Sequence, residues 1–367
     1  MAIVKLGSVA RECRQNWTGS SEGIPIVGLE HLTPGEILLT SWERDTENTF
    51  SKKFNKGQVL LGRRRVYLKK AVIAPFDGIC SGDITVIEAI PGKIAPALLP
   101  FIIQNDKFFD YAMQGSAGSL SPRVKWEHLK DYEFDLPDIS EQDNLAEKLW
   151  SAYHLKQSYK SLIVATDEMV KSRFIEMFGG DNWAQKSLGE VGSFTRGGGF
   201  QKSDFVEDGI PCIHYGQIHT RFGPFISSHI TEISSELASK TRFASKGDLI
   251  IAITSEDAEG SCKSTAWLGD YPVAVGAHAA IYNHCMNPLY MSFFFKSALF
   301  NHAKMEYIHG TKVVEIRPDD IAKILVPCPP MSLQEQFAAI AEQSDKSKFE
   351  LRQAIDKIDR VIRSLIG

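Results

Sequence analysis

The sequence predicts an α+β protein: two strand-rich mixed domains separated by two long helices packed as an antiparallel coiled coil. Three observations lead there. The stretch "PDISEQDNLA" (Pro137 to Ala146) returns 192 positions later as "PPMSLQEQFA" (Pro329 to Ala338). Each copy opens a long run with helical apolar spacing. The segments before the two copies echo each other more faintly as short strands.

The repeat keeps its register beyond the opening stretch. Pro137, Ser140, Gln142 and Ala146 recur as Pro329, Ser332, Gln334 and Ala338, and Lys156, Ile163, Asp167 and Ser172 fall on Lys348, Ile355, Asp359 and Ser364. Ser140 and Ser332 are candidate caps, because a serine oxygen can accept from the free N–H groups of a first turn. In the second run Phe337, Leu351, Ile355, Ile358, Ile362 and Leu365 belong to a seam with alternating steps of four and three. That narrow stripe is the pattern of helix pairing rather than of a broad globular face. The matching seam of the first run contains Leu145, Leu149, Tyr159, Ile163 and Val170, widened by Leu162, Met169, Phe174 and Phe178. Gly179 and Gly180 stop the first helix, which at about 40 residues is about 60 Å long. Two helices of one seam pattern, each needing a partner, most simply pack on each other.

Before the helices, "KLGSVA" (Lys5 to Ala10) echoes "SLGEVG" (Ser187 to Gly192), and "NKGQVLL" (Asn55 to Leu61) echoes "SKGDLII" (Ser245 to Ile251). These β-branched runs punctuated by glycine read as strands. The expected layout is a strand-rich domain over 1–136, a long helix over 137–180, a second domain over 181–328 and a second long helix over 329–367.

Composition sets outer bounds. The 43% hydrophobic and 23% charged residues are those of an ordinary globular protein, and the net charge of −4 gives no global signal for nucleic acid. Only the surface that meets phosphate must be positive, so DNA binding stays open. The six cysteines form no C-x-x-C pair and have no histidine at zinc-finger spacing; they read as free thiols, and no metal is expected. The N-terminus lacks an apolar leader core and no run approaches the roughly 20 apolar residues of a membrane helix, so the expected location is the cytoplasm.

Several phrases carry a resemblance: "GRRRVYLKKAVIAPFDGICSGDI" (Gly62 to Ile84), "VKSRFIEMFGG" (Val170 to Gly180), "AITSEDAEGSCKSTAWLGDYPVAVG" (Ala252 to Gly276) and the twin Pro–Gln helix starts. In this order, over nearly the whole chain, they resemble the specificity subunit of type I restriction-modification enzymes. The resemblance implies that each strand-rich domain is a target-recognition domain reading half of a split double-stranded DNA sequence. It implies that the helices set the unread spacer and dock two methyltransferase subunits, with restriction subunits joining the full complex. It also implies a chain with no catalytic centre and no cofactor, the methyl donor and ATP belonging to the partners. One departure is that the second helix has no counterpart of the "FIEMFGG" tail.

Candidate DNA contacts follow from charge. Arg63, Arg64, Arg65, Tyr67, Lys69 and Lys70 fall within eight residues, and arginine reads guanine edges as well as phosphates. In a strand, alternation places Arg63, Arg65 and Tyr67 on one face and Arg64 on the other. "GSAGSLSPRVKW" (Gly115 to Trp126) and "HGTKVVEIRPDD" (His309 to Asp320) stand at matching places and supply Ser116, Ser119, Arg123 and Lys125, and Thr311, Lys312 and Arg317. Arg196 and Lys202 flank a glycine-rich loop that fits no nucleotide motif; Lys240, Arg242 and Lys263 complete the set.

The alternative is a DNA methyltransferase or endonuclease with two fused recognition domains. "NPLY" (Asn287 to Tyr290) looks like the N-P-P-Y motif of adenine methyltransferases, but no glycine-rich methyl-donor loop accompanies it. The plainer reading is a turn opening a short apolar helix. His214, His219, His278, His284, His302 and His309 form no catalytic spacing. A coiled-coil scaffold without DNA would leave both basic loops unexplained.

Overall fold

The computed structural model describes residues 2–20, 22–118, 120–180, 182–310 and 314–366. The chain divides into two compact units: 1–160 with 352–367, and 161–351. Each unit therefore holds a strand-rich domain and part of both long helices.

The first long helix runs Ile139–Phe178 and the second Met331–Leu365, 40 and 35 residues. Both start one residue before Ser140 and Ser332, so these serines sit inside the first turn instead of capping it. The start is held by glutamine. Gln142 Nε2 donates to the Pro137 carbonyl (2.9 Å) and its Oε1 accepts from Ala95 N–H (2.8 Å). Gln334 does the same with Pro329 (2.8 Å) and Asn287 N–H (2.9 Å). Both glutamines are buried, and Asn287 lies 192 positions after Ala95, the offset of the helix repeat.

The helices pack against each other antiparallel within both units. In the first, Leu149 is buried in the domain core and Leu145, Ile362 and Leu365 pack partly buried against it. In the second, Val170, Phe174, Phe178 and Phe337 are buried together. Tyr159, Ile163, Leu351, Ile355 and Ile358 are half-buried, whereas Leu162 and Met169 are about half exposed, at 50% and 52%. They line a groove with Ala339, Ile340 and Leu351 instead of widening the seam.

Two lysines interrupt the seam and both are paired. Lys156 Nζ meets Asp359 Oδ1 at 2.6 Å in the first unit, and Lys348 Nζ meets Asp167 Oδ1 at 2.6 Å in the second. These are one bond written twice, since both partners are related by the 192-residue offset. A charge inside a helix seam fixes register, because any slip leaves it unpaired. Lys348→Ala should lower stability by about 1–2 kcal/mol, less than a fully buried pair because Asp167 is 46% exposed. Thermal melting checks this: Asp167→Lys should be worse still, and Lys348→Asp with Asp167→Lys should recover much of the loss. A double variant no better than Asp167→Lys would refute the register role.

The two strand-rich domains share a frame. In the first, strands order as Ala10–Cys13, Ile84–Ala89, Val59–Gly62, Ala71–Ile73, all antiparallel. In the second, Gly192–Arg196, Ala279–His284, Leu249–Ala252 and Ser264–Trp267 repeat that order. Both carry another sheet with one parallel pair, Ile26–Val27 beside Ile79–Cys80 and Cys212–Ile213 beside Ala274–Val275. Among the described residues no helix is long and apolar enough to cross a membrane.

Candidate nucleic-acid interface

The central strand of the first domain ends at Gly62, and the backbone beyond it builds a small hub. Arg63 N–H donates to the Asp83 carbonyl (2.9 Å), and Val124 N–H donates to the Arg63 carbonyl (3.0 Å). Ala117 and Arg123 exchange N–H···O bonds of 3.1 and 2.9 Å, and Arg64 bridges antiparallel to Arg123. Chain-distant segments thus bring Arg63, Arg64 and Arg123 around one carboxylate. Arg123 forks onto Asp83 through Nε (2.7 Å) and Nη2 (3.1 Å). Arg64 donates to Ser121 Oγ at 3.0 Å and lies 3.7 Å from Asp83. Hydrogen bonding from Arg123 holds the Asp83 carboxyl below its usual range; partial burial opposes this, and the charges of Arg123, Arg63 and Arg64 add to it. A shallow cleft lined by Thr49, Phe50, Arg63, Ser81, Asp83 and Arg123 opens here.

The expected alternation of Arg63, Arg65 and Tyr67 along a strand is corrected by this geometry. Arg65 takes a left-handed φ of 52° and a 3-10 turn, Val66–Leu68, follows, ended by Lys69 at φ 52°. A positive φ at a non-glycine residue breaks strand pleating. Arg65 and Tyr67 are exposed on that turn. Lys69 pairs with Asp106, and Lys70 donates to the Leu29 carbonyl at 2.7 Å. Ser116 is half-buried, Lys125 is exposed immediately before the helix Trp126–Leu129, and Ser119 lies outside the described residues.

The second unit repeats the hub bond for bond. Ile253 N–H donates to the His278 carbonyl (3.0 Å), Ile316 N–H to the Ile253 carbonyl (3.1 Å), and His309 and Glu315 exchange bonds of 3.1 and 3.0 Å. Thr254 pairs with Glu315 as Arg64 does with Arg123. Arg196 reaches Glu315 (3.2 Å) and the Ala277 carbonyl (3.1 Å). The His278 ring lies 5.1 Å from that of Tyr215, which neighbours His214 at 4.5 Å, and His219 Nε2 is 3.0 Å from the Thr254 carbonyl. Burial holds the His214 pKa below its ordinary value, with the charges of His278 and Lys202 adding to the shift. Lys240 pairs with Glu236, whereas Lys202, Arg242, Lys263 and Arg317 are exposed. Thr311 and Lys312 lie outside the described residues.

Sequence reasoning missed Asp83, Ser121 and Tyr215, and weighed the histidines only for catalysis. The signal was there in principle: His278 stands to its strand as Asp83 does to its own.

Asn287 opens the helix Pro288–Lys296 as its cap, its Oδ1 accepting from Leu289 N–H (3.0 Å) and Tyr290 N–H (3.2 Å). Tyr290 is fully buried, its hydroxyl donating to the Pro327 carbonyl. The stretch is therefore a helix start. Among the described residues no cluster of His, Cys, Asp and Glu could hold a metal.

Comparison with known proteins fits this arrangement. A family model described as the type I restriction modification DNA specificity domain matches residues 180–359. The Type I restriction enzyme EcoDI specificity subunit of Escherichia coli is 21% identical over 175 residues, covering 47% of this chain and 35% of that protein. The match thus spans about a third of that relative's length. Two solved structures share the fold over 100% of this chain and 96% of theirs. One, from work on complex assembly and conformational transition of the type I R-M system, has a TM-score of 0.60 at 17% identity. The other is the type I restriction-modification S subunit from M. genitalium, with 0.58 at 13%. With its repeated Pro–Gln helices and twin strand-rich domains, the chain is similar in fold to specificity subunits of type I restriction-modification systems, and residues 180–359 carry the DNA specificity domain of that family.

Proposed function

We propose that this chain reads a bipartite DNA target for a type I restriction-modification complex, without a catalytic centre or cofactor of its own. Residues 1–136 and 181–328 act as the two recognition domains. The long helices over 137–180 and 329–367 set the unread spacer and dock two methyltransferase subunits, and restriction subunits complete the assembly. The observation that carries this reading is the duplicated hub. A protein that reads two half-sites needs one scaffold twice, and in the first unit the hub gathers three arginines near Asp83, with Arg63 and Arg123 lining an open cleft. Val164, Phe349 and Val361, each more than half exposed on the long helices, supply apolar surface for docking. The rival methyltransferase reading loses its best residue, because the Asn287 oxygen is already committed to its own helix.

Two measurements test the proposal. Co-expression with a cognate methyltransferase subunit, followed by mapping of methylated adenines across the host genome, should give a split motif only when both proteins are present. Methylation by this chain alone would overturn the reading. In equilibrium binding of the assembled complex to DNA, Arg65→Ala and Lys125→Ala should weaken all sequences alike. Each should lower the slope of log K against log salt by about one, as loss of a phosphate contact does.

A further inference from the structure

The internal repeat allows the two units to be compared position by position. Around the hub, residues that fold keep their type. Leu61 and Ile251, Val124 and Ile316, and Ile84 and Ala279 are equivalent pairs, apolar and buried in both units. The side chains on the hub itself all change. Arg64 becomes Thr254, Asp83 becomes His278, and Arg123 becomes Glu315, although the backbone bonds that place them are the same.

The change is one of chemistry as well as charge. The first unit presents two guanidiniums, which only donate, oriented by one carboxylate. The second presents an imidazole and a carboxylate, with the Thr254 hydroxyl buried behind them. These positions are not loose surface: Arg123 is locked in a two-point fork, Asp83 is 18% exposed in its side chain, and Glu315 is held by Arg196. Side chains that are ordered by their neighbours, and yet free to reverse charge without altering the frame, answer to something outside the fold that differs between the units. Base edges are such a thing. Guanine O6 and N7 accept from arginine, whereas the cytosine amino group donates to a carboxylate.

We infer that Arg64, Asp83 and Arg123 in the first unit, and His278 and Glu315 in the second, where a buried Thr254 replaces the arginine, determine which half-site each unit reads. Arg64 and Arg123 meet a guanine edge, with Asp83 as the positioning residue that aims Arg123. Glu315 accepts from a base amino group. This assignment rests on the proposed DNA-reading function and names the side chains that carry out the discrimination.

The test uses the full chain with its methyltransferase subunit and maps methylated adenines for the wild type and four variants. Arg64→Thr, Asp83→His and Arg123→Glu together should change one half of the motif and leave the other intact. Thr254→Arg, His278→Asp and Glu315→Arg together should change only the other half. Asp83→Asn and Arg123→Lys serve if the triple variants fail to fold. Each should flatten the preference at one base pair by about 10-fold to 100-fold, with the salt slope unchanged for Arg123→Lys, which keeps its charge. Folded variants with both half-motifs unaltered would overturn the assignment alone. A uniform loss across all sequences would overturn it too, making the hub a phosphate contact. A wild type with no split motif would instead overturn the DNA-reading function on which it rests.

Discussion

Phe337→Ala should destabilise the second unit by about 3–5 kcal/mol, the usual cost of emptying a large aromatic site in a core that cannot collapse. Phe337 is fully buried. Its ring meets those of Phe293 (5.1 Å), Phe174 (5.2 Å) and Phe178 (5.8 Å), each near the edge-on geometry that aromatic pairs favour. Phe174 and Phe178 also hold Tyr290, so the cavity would open between the two long helices and the helix that Asn287 starts. The counterpart Leu145 is only half-buried, and Leu145→Ala should cost less, about 1–2 kcal/mol. Denaturant unfolding of both variants checks the contrast, and equal losses would show that the cluster gives Phe337 no special weight.

The same residue marks how far the sequence could be read. The 3–4 period puts Phe337 on the apolar stripe of its helix, and its ring is buried against Phe174 and Phe178. That period did not say that the seam residue would, besides meeting the other helix, also join a domain core, since that depends on Tyr290 and Phe293 arriving from another segment. The strand echoes were fainter for a related reason. Equivalent residues are 182 apart at Leu6 and Leu188, 190 apart at Leu61 and Ile251, and 195 apart at Ile84 and Ala279. Loop insertions shift the offset while pairing register is kept.

The site was legible only as charge. Arg63, Arg64 and Arg123 stood out as basic, but their convergence needs Asp83 and a strand that stops at Gly62. The second hub has no charge run at all: Thr254, His278 and Glu315 come from three separate segments, and only the hydrogen bonds of the fold bring them into one group.

The opening repeat supplies the other large expected effect. Gln142→Leu and Gln334→Leu should each cost about 2–4 kcal/mol, although leucine matches glutamine well in size. Each substitution strands two buried backbone groups, the Ala95 N–H and Pro137 carbonyl in the first unit, the Asn287 N–H and Pro329 carbonyl in the second. An unmet buried group costs about 1–3 kcal/mol, and solvent does not reach these sites because the glutamines are 2% and 3% exposed. Asparagine, one methylene shorter, can keep one bond of the two and should fall between wild type and leucine. Because each glutamine acts inside its own unit, the two losses should add in the double variant. Hydrogen exchange at Ala95 and Asn287 gives an independent readout, since those amides should lose protection before the helices do. A stable Gln334→Leu with a protected Asn287 amide would mean that packing alone seats the helix. The expected result ties the repeated Pro–Gln stretch to its cause: a helix that begins after proline must be fastened to its domain by a side chain that both donates and accepts, and among residues of that reach glutamine does so without burying a charge.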